Sequence, residues 1–223
     1  MAILTYDERL KEIRLLMQYA VPKKAMAKAE KFINRYATDP IALTLFKEFY
    51  SYLPEAKDDA ITALYCLDRK RGAFLLCATT ILDSYLYIVT TEKAEFLGPI
   101  KEGIWDEEVL SFFGYKDRDD FLKRHETLAE AVEHTPTHLA QDLCPICSVA
   151  EGENHISGCP LELCPWCGGQ IITCTCRFTQ LGTDRINEES ELDSFLDLLE
   201  KKGRIPYNPR DQRPSYLTED VLK

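Results

Sequence analysis

The sequence predicts a mainly α-helical protein. A helical bundle or helical-hairpin domain is expected over residues 1–140, a small metal-stabilised module with short β-hairpins over 141–180, and a final amphipathic helix with an extended tail over 181–223. Three observations predict it. Apolar residues recur at helical spacing through much of the first half. Capping residues and prolines divide that half into helix-sized segments. Seven of the nine cysteines crowd between Cys144 and Cys176, in the runs CPIC, CP, CPWCGG and CTC with His155 among them. Thiols at such spacings most often hold zinc.

Residues 5–20 open the helical series, with Thr5 as N-cap and Leu10, Ile13, Leu16 or Met17, and Ala20 on one face. Pro22 suits the first turn of a second helix over 22–37. Met26, Ala29, Ile33 and Tyr36 form its apolar side, and Lys24, Lys28, Lys31 and Arg35 form a basic stripe opposite, read as a solvated face. Asp39-Pro40 starts a third helix through Leu43, Phe46, Phe49, Tyr50 and Leu53, and Pro54 closes it. A fourth is expected from Glu55 to Arg71, stopped at Gly72. Residues 73–100 are ambiguous. Phe74, Cys77, Ile81, Tyr85 and Ile88 or Val89 fit a buried helix, whereas the Thr, Tyr, Ile and Val of ATTILDSYLYIVTT suit two strands; we read helix. From Trp105 the pattern is helical again, with Gly114 as C-cap and Asp117 as N-cap. Pro136 ends the run. The acidic pairs Asp58-Asp59, Glu107-Glu108 and Asp119-Asp120 read as helix-start residues complementing the dipole.

Cys66 and Cys77 sit in apolar surroundings and read as core residues. His125, His134 and His138 lie among charged residues and read as surface histidines. The start MAILTYDERLKEIRLL shows no apolar h-region, and AFLLCATTILDSYLYIV carries Asp83 and falls short of the roughly 20 residues of a membrane span. The expectation is a cytoplasmic protein without membrane contact. A net charge of −10 opposes phosphate-driven binding of nucleic acid. The acidic excess lies partly in the cysteine-rich end, and residues 1–71 carry a slight basic excess.

The cysteine spacing admits two ligand assignments. In the first, Cys144, Cys147, His155 and Cys159 make one site and Cys164, Cys167, Cys174 and Cys176 another, so that every thiol of the region is used and each zinc has four protein ligands. In the second, CPIC pairs with CPWC as one long ribbon, which leaves Cys159, Cys174 and Cys176 as idle thiols. The two-site assignment is ranked first, with two structural zinc ions. In CPWCGG the glycines allow amides to face the sulfurs, and QIIT reads as a short strand leading to CTC.

CPIC and CPWCGGQIITCTC resemble the paired knuckles of the zinc-ribbon superfamily. The run H-x3-CP-x3-CPWCGGQ-x3-C-x-C is also similar to a cysteine-rich module carried by bacterial proteins without an assigned function. The resemblance covers about 35 of the 223 residues. It implies that Cys144, Cys147, Cys164 and Cys167 are ligands, and the CTC pair departs from the simplest two-knuckle pattern. Zinc ribbons serve enzymes, transcription machinery and interaction domains alike, so the resemblance names a metal and no activity.

CPIC and CPWC also match dithiol redox motifs, but those require a strand before and a long helix after, which Gly168-Gly169 and CTC break. Iron could occupy a thiolate tetrahedron, although a histidine ligand does not select it. No G-x-S-x-G, Walker loop, G-x-G-x-x-G or H-E-x-x-H is present. The helix expected over 191–202 presents Leu192, Phe195, Leu196 and Leu199 to the zinc module, to the helical domain or to a second copy. The resulting expectation is a zinc-stabilised, non-catalytic interaction or adaptor protein with a protein partner. A nucleic-acid or transcription-associated binder and a thiol-redox protein are the alternatives.

Overall fold

A computed structural model describes residues 5–128, 131–137 and 140–212. The chain divides after Ala140 into two compact units.

The first unit begins as expected. Helix α1 spans Tyr6–Ala20, and Thr5 and Glu8 form a reciprocal capping box at its start. Helix α2 spans Met26–Asn34, shorter than the 22–37 expected, and buries Ala29, Phe32 and Ile33. Helix α3 spans Pro40–Ser51, with Pro40 in its first turn and Asp39 as N-cap, the Asp39 side chain accepting from the Ile41 and Ala42 amides.

After α3 the helical expectation fails. Four strands follow, β1 (Ile61–Lys70), β2 (Ala73–Thr80), β3 (Ser84–Val89) and β4 (Ala94–Pro99), and with β5 (Val132–Glu133) they form one antiparallel sheet in the order β4-β3-β2-β1-β5. The unit is therefore a mixed α and β structure, and neither a helical bundle nor a helical-hairpin stack.

Two features produced the misreading. Gly72 looked like a helix C-cap, but Arg71 (φ 51°) and Gly72 (φ 75°) are the two central residues of a tight hairpin closed by the Lys70–Ala73 pair. Left-handed backbone serves both endings, so glycine alone does not choose between them. The second feature is β2, buried along almost its whole length. Ala73, Leu75 and Cys77 on one side join Leu86, Ile104 and residues of helices α4 (Glu107–Phe113) and α5 (Arg118–Arg124) in one apolar cluster. On the other side Phe74 meets the His134 ring edge-on, and α3 packs on β3 and β4. A strand covered on both faces loses its period-two alternation and reads as a continuous apolar run.

The threonines of the ambiguous stretch close its turns. Thr80 Oγ1 accepts from the Leu82 and Asp83 amides, and Thr90 Oγ1 accepts from those of Glu92 and Lys93. Gly114 (φ 80°) and Asp117 cap α4 and α5 as expected, and Glu107, Glu108, Asp119 and Asp120 occupy their first turns. Asp58-Asp59 starts no helix. Asp59 is buried before β1, and its Oδ1 accepts from the Ala60 and Ile81 amides at 2.7 and 3.0 Å.

The histidine readings also need correction. His134 is buried, its Nε2 lies 2.8 Å from Asp39 Oδ2, and its ring stacks on Tyr36. His125 is half-buried, with Nε2 2.9 Å from the Tyr115 hydroxyl, and burial lowers its pKa. His138 lies outside the described residues. Among those residues no helix is long and apolar enough to cross a membrane.

Cys77 is buried, Cys66 is half-buried, and burial raises their thiol pKa values to about 12 and about 11. At pH 8 the thiolate fraction of each is on the order of one in a thousand or below. Iodoacetamide at that pH is expected to leave both unmodified in the folded chain and to label both in urea, as read by peptide mass mapping. Prompt labelling of Cys77 in the folded chain would show that β2 is not a core strand.

Candidate metal centre

The second unit holds little regular structure beyond helices α6 (Cys176–Leu181) and α7 (Glu189–Lys202). It is built around two knuckles that repeat each other twenty residues apart. In the first, the Cys144 amide donates to the Val149 carbonyl at 2.8 Å and the Ser148 amide donates to the Cys144 carbonyl at 2.9 Å. In the second, Cys164 donates to Gly169 at 2.7 Å and Gly168 to Cys164 at 2.8 Å. Single bridges, Leu143 with Ala150 and Leu163 with Gln170, close the two loops. The expected QIIT strand reduces to that one bridge, because Ile171–Thr173 turns back on itself. Both knuckles need left-handed backbone after the second cysteine, supplied by Gly168 at φ 73° and by Ser148 at φ 60°.

Each knuckle turns its two sulfurs inward, and the following segment adds two more ligand atoms. Cys144, Cys147, His155 and Cys159 bring theirs within 4.8 Å of one another, and so do Cys164, Cys167, Cys174 and Cys176. All eight sequence-predicted positions are thus gathered, in the grouping of chain neighbours rather than CPIC with CPWC. His155 and Cys159 come from irregular turns; Cys174 and Cys176 come from the approach to α6 and its first residue.

The spacings suit a tetrahedral ion. Zinc bonded at about 2.3 Å to sulfur and about 2.0 Å to nitrogen sets sulfur–sulfur edges of about 3.8 Å and sulfur–nitrogen edges of about 3.5 Å. Cys144 Sγ lies 3.8 Å from Cys159 Sγ, and Cys147 Sγ lies 3.4 Å from His155 Nδ1. A disulfide needs sulfurs at about 2.0 Å, so the first cluster is spread for an ion and not joined by a bond. Both clusters can hold a metal ion, and they fit two sites.

The electrostatics agree with that capacity. In the first cluster, hydrogen bonds from Cys147 and Cys159 lower the Cys144 pKa, and sharing with Cys144 raises that of Cys159. In the second, the Gly169 amide lowers Cys167, whereas hydrogen bonding with Cys167 raises Cys176 to about 12. One thiolate forms readily in each and the next is resisted. A divalent cation removes that resistance.

The two clusters differ in their covering. The first is wholly buried, and Tyr207 seals it: its hydroxyl donates to the Leu143 carbonyl, its amide donates to the Glu153 carbonyl, and its ring stands 5.3 Å from that of His155. With Nδ1 facing the sulfurs, His155 Nε2 is buried without a hydrogen-bond partner among the described residues. The second cluster is open at Cys167 and flanked by α7, whose Phe195 and Leu199 pack with Cys164 and Ile171. Leu192 of the same helix stays exposed.

One positioning pair escaped sequence reasoning. Glu162, between the two sites, is buried and accepts from Arg204 Nε at 2.8 Å, while Arg204 Nη2 donates to the His155 carbonyl at 2.5 Å. The pair ties the segment after α7 to both knuckles. Forty-two residues separate the partners, so no local pattern announces them. Tyr207 belongs to the tail expected to be extended, whose residues beyond 212 lie outside those described.

No family model, curated protein or solved structure matches this chain. The site is therefore defined by its own geometry, as a pair of four-ligand cysteine and histidine clusters able to bind metal.

Proposed function

We propose that the second unit is a two-zinc interaction module in which Cys144, Cys147, His155 and Cys159 ligate one ion and Cys164, Cys167, Cys174 and Cys176 the other, and that the protein acts as a non-catalytic adaptor. The observation that carries this reading is the completeness of each cluster: four protein ligand atoms within 4.8 Å of one another. Four ligands close a zinc tetrahedron and leave no position for a reacting water, which is the arrangement of structural sites. Thiolate and imidazole donors together favour zinc over hard cations such as magnesium or calcium. A dithiol redox role fits less well, because neither CPxC opens a helix; each runs into a left-handed turn and a bridge. Bound zinc would supply fixed geometry and charge neutralisation, and the protein around it would supply the surface that meets a partner.

Metal content per chain on freshly purified protein tests this. Two zinc ions are expected, with Cys159→Ser and Cys174→Ser each removing about one. One ion untouched by either substitution would support the long-ribbon pairing instead. A chain free of metal, with thiols that reduce an insulin disulfide, would return the module to redox chemistry.

A further inference from the structure

The basic stripe of α2 borders a concavity. Lys24 in the turn before that helix, Lys28 and Lys31 on it and Arg35 at its C-cap line a groove of about 510 Å³ between the helix and the start of β1. Its apolar lining includes Phe32, Ile61 and Ile81. Ile81 is 48% exposed. No carboxylate lines the groove. Arg35 is paired with Glu133 at 2.7 Å, whereas Lys24, Lys28 and Lys31 have no acidic partner among the described residues. The nearby Asp59 is buried and committed to the Ala60 and Ile81 amides. The outer edge of β1 is paired with β5 only at Tyr65 and Cys66, so no further strand covers the Ile61–Thr62 rim among the described residues.

In a chain of net charge −10, a concave surface with four cations and an apolar floor is out of keeping with its surroundings. A solvated helix face needs no such floor.

We propose that this groove is a docking surface for an acidic peptide segment of a partner protein, with apolar side chains interleaved among its carboxylates. Charge complementarity selects the carboxylates: three unpaired ammonium groups along one side of the groove meet acids repeated along an extended chain. The floor selects the apolar side chains. A nucleic acid would meet the chain's negative field, and the groove offers it no exposed aromatic face for stacking. A lone phosphate would use one or two lysines and leave the floor bare. The inference concerns the first unit and stands independently of the metal reading.

The test uses the full chain and a fluorescein-labelled peptide of about twelve residues alternating Glu and Leu, followed by anisotropy. Saturable binding is expected, weakening as salt is raised. The triple variant Lys24→Glu, Lys28→Glu, Lys31→Glu should weaken it about tenfold or more, and Ile81→Asp about fivefold. All four positions are exposed, and circular dichroism checks that the variants fold. Absence of binding, binding indifferent to the triple variant, or equal binding of an oligoglutamate would overturn the proposal. Tighter binding of an oligothymidylate of similar length would reassign the groove to nucleic acid, and displacement by millimolar inorganic phosphate would reduce it to an anion site.

Discussion

Stripping metal from the full chain with a chelator under reducing conditions is expected to unfold residues 141–212 and to leave residues 5–137 folded. The apolar clusters of the second unit are small. One comprises Cys144, Cys147, Cys159, Val149, Leu161 and Tyr207, and the other is centred on Cys164, Ile171, Phe195 and Leu199. Half of the first cluster is cysteine. Cores of that size do not offset the conformational entropy of some seventy residues, at about 1–2 kcal/mol each for the backbone alone. Binding at a structural zinc site is worth about 10–16 kcal/mol in small modules, and without it thiols held 3.8 Å apart lose their reason to converge. Hydrogen exchange read by mass spectrometry separates the two units. Protection should vanish from the knuckle amides of Cys144, Ser148, Cys164 and Gly168 and persist in β2 and β3. Knuckle protection that survives complete zinc removal would show that the module folds without metal.

Replacing Asp39 by Ala should cost the first unit about 4 kcal/mol or more, read as a lower urea midpoint with the zinc content unchanged. Asp39 has no exposed surface, yet its carboxylate is hydrogen-bonded at both oxygens. Its Oδ1 accepts from the Ile41 and Ala42 amides and from the Thr137 hydroxyl, and its Oδ2 faces His134 Nε2 and the Thr137 amide. Alanine removes the cap of α3 and leaves these buried groups without their partner, each worth about 1–3 kcal/mol. Asn at the same position keeps one acceptor and should lose less. Equal stability of Asp39→Ala and the native chain would mean that His134 and Thr137 find other partners.

Asp39 also marks the boundary between what could and could not be read along the chain. Its place as N-cap of α3 was legible because a cap acts on amides two and three residues away. Its contacts with His134 and Thr137, 95 and 98 residues on, were not, and His134 therefore looked like a surface residue. The strands show the same division. The sequence of β2 is one apolar run because both its faces are buried, and that burial is a property of the assembled unit. Arg71-Gly72 carried the hairpin signal, but a left-handed glycine also ends helices, and the register pairing Lys70 with Ala73 is what distinguishes the two.

The candidate metal sites were far more legible than the fold that carries them. Ligand spacing is a local property: two residues between knuckle cysteines, and a short loop to the remaining pair, bring four donors together whatever lies elsewhere. The sequence by itself therefore determined the caps of α1, α3, α4 and α5, and it ranked the grouping of Cys144, Cys147, His155 and Cys159, with that of Cys164, Cys167, Cys174 and Cys176, ahead of the pairing of CPIC with CPWC. Only the tertiary structure decided that residues 61–99 form a sheet, that Asp39 and His134 meet in a core, that Glu162 and Arg204 tie the knuckles together, and that the lysines of α2 border a groove. Hydrogen-bonded turns and chelate loops are specified by residues a few positions apart. Burial, register and long-range pairing depend on which surfaces meet, and that is settled when the whole unit folds.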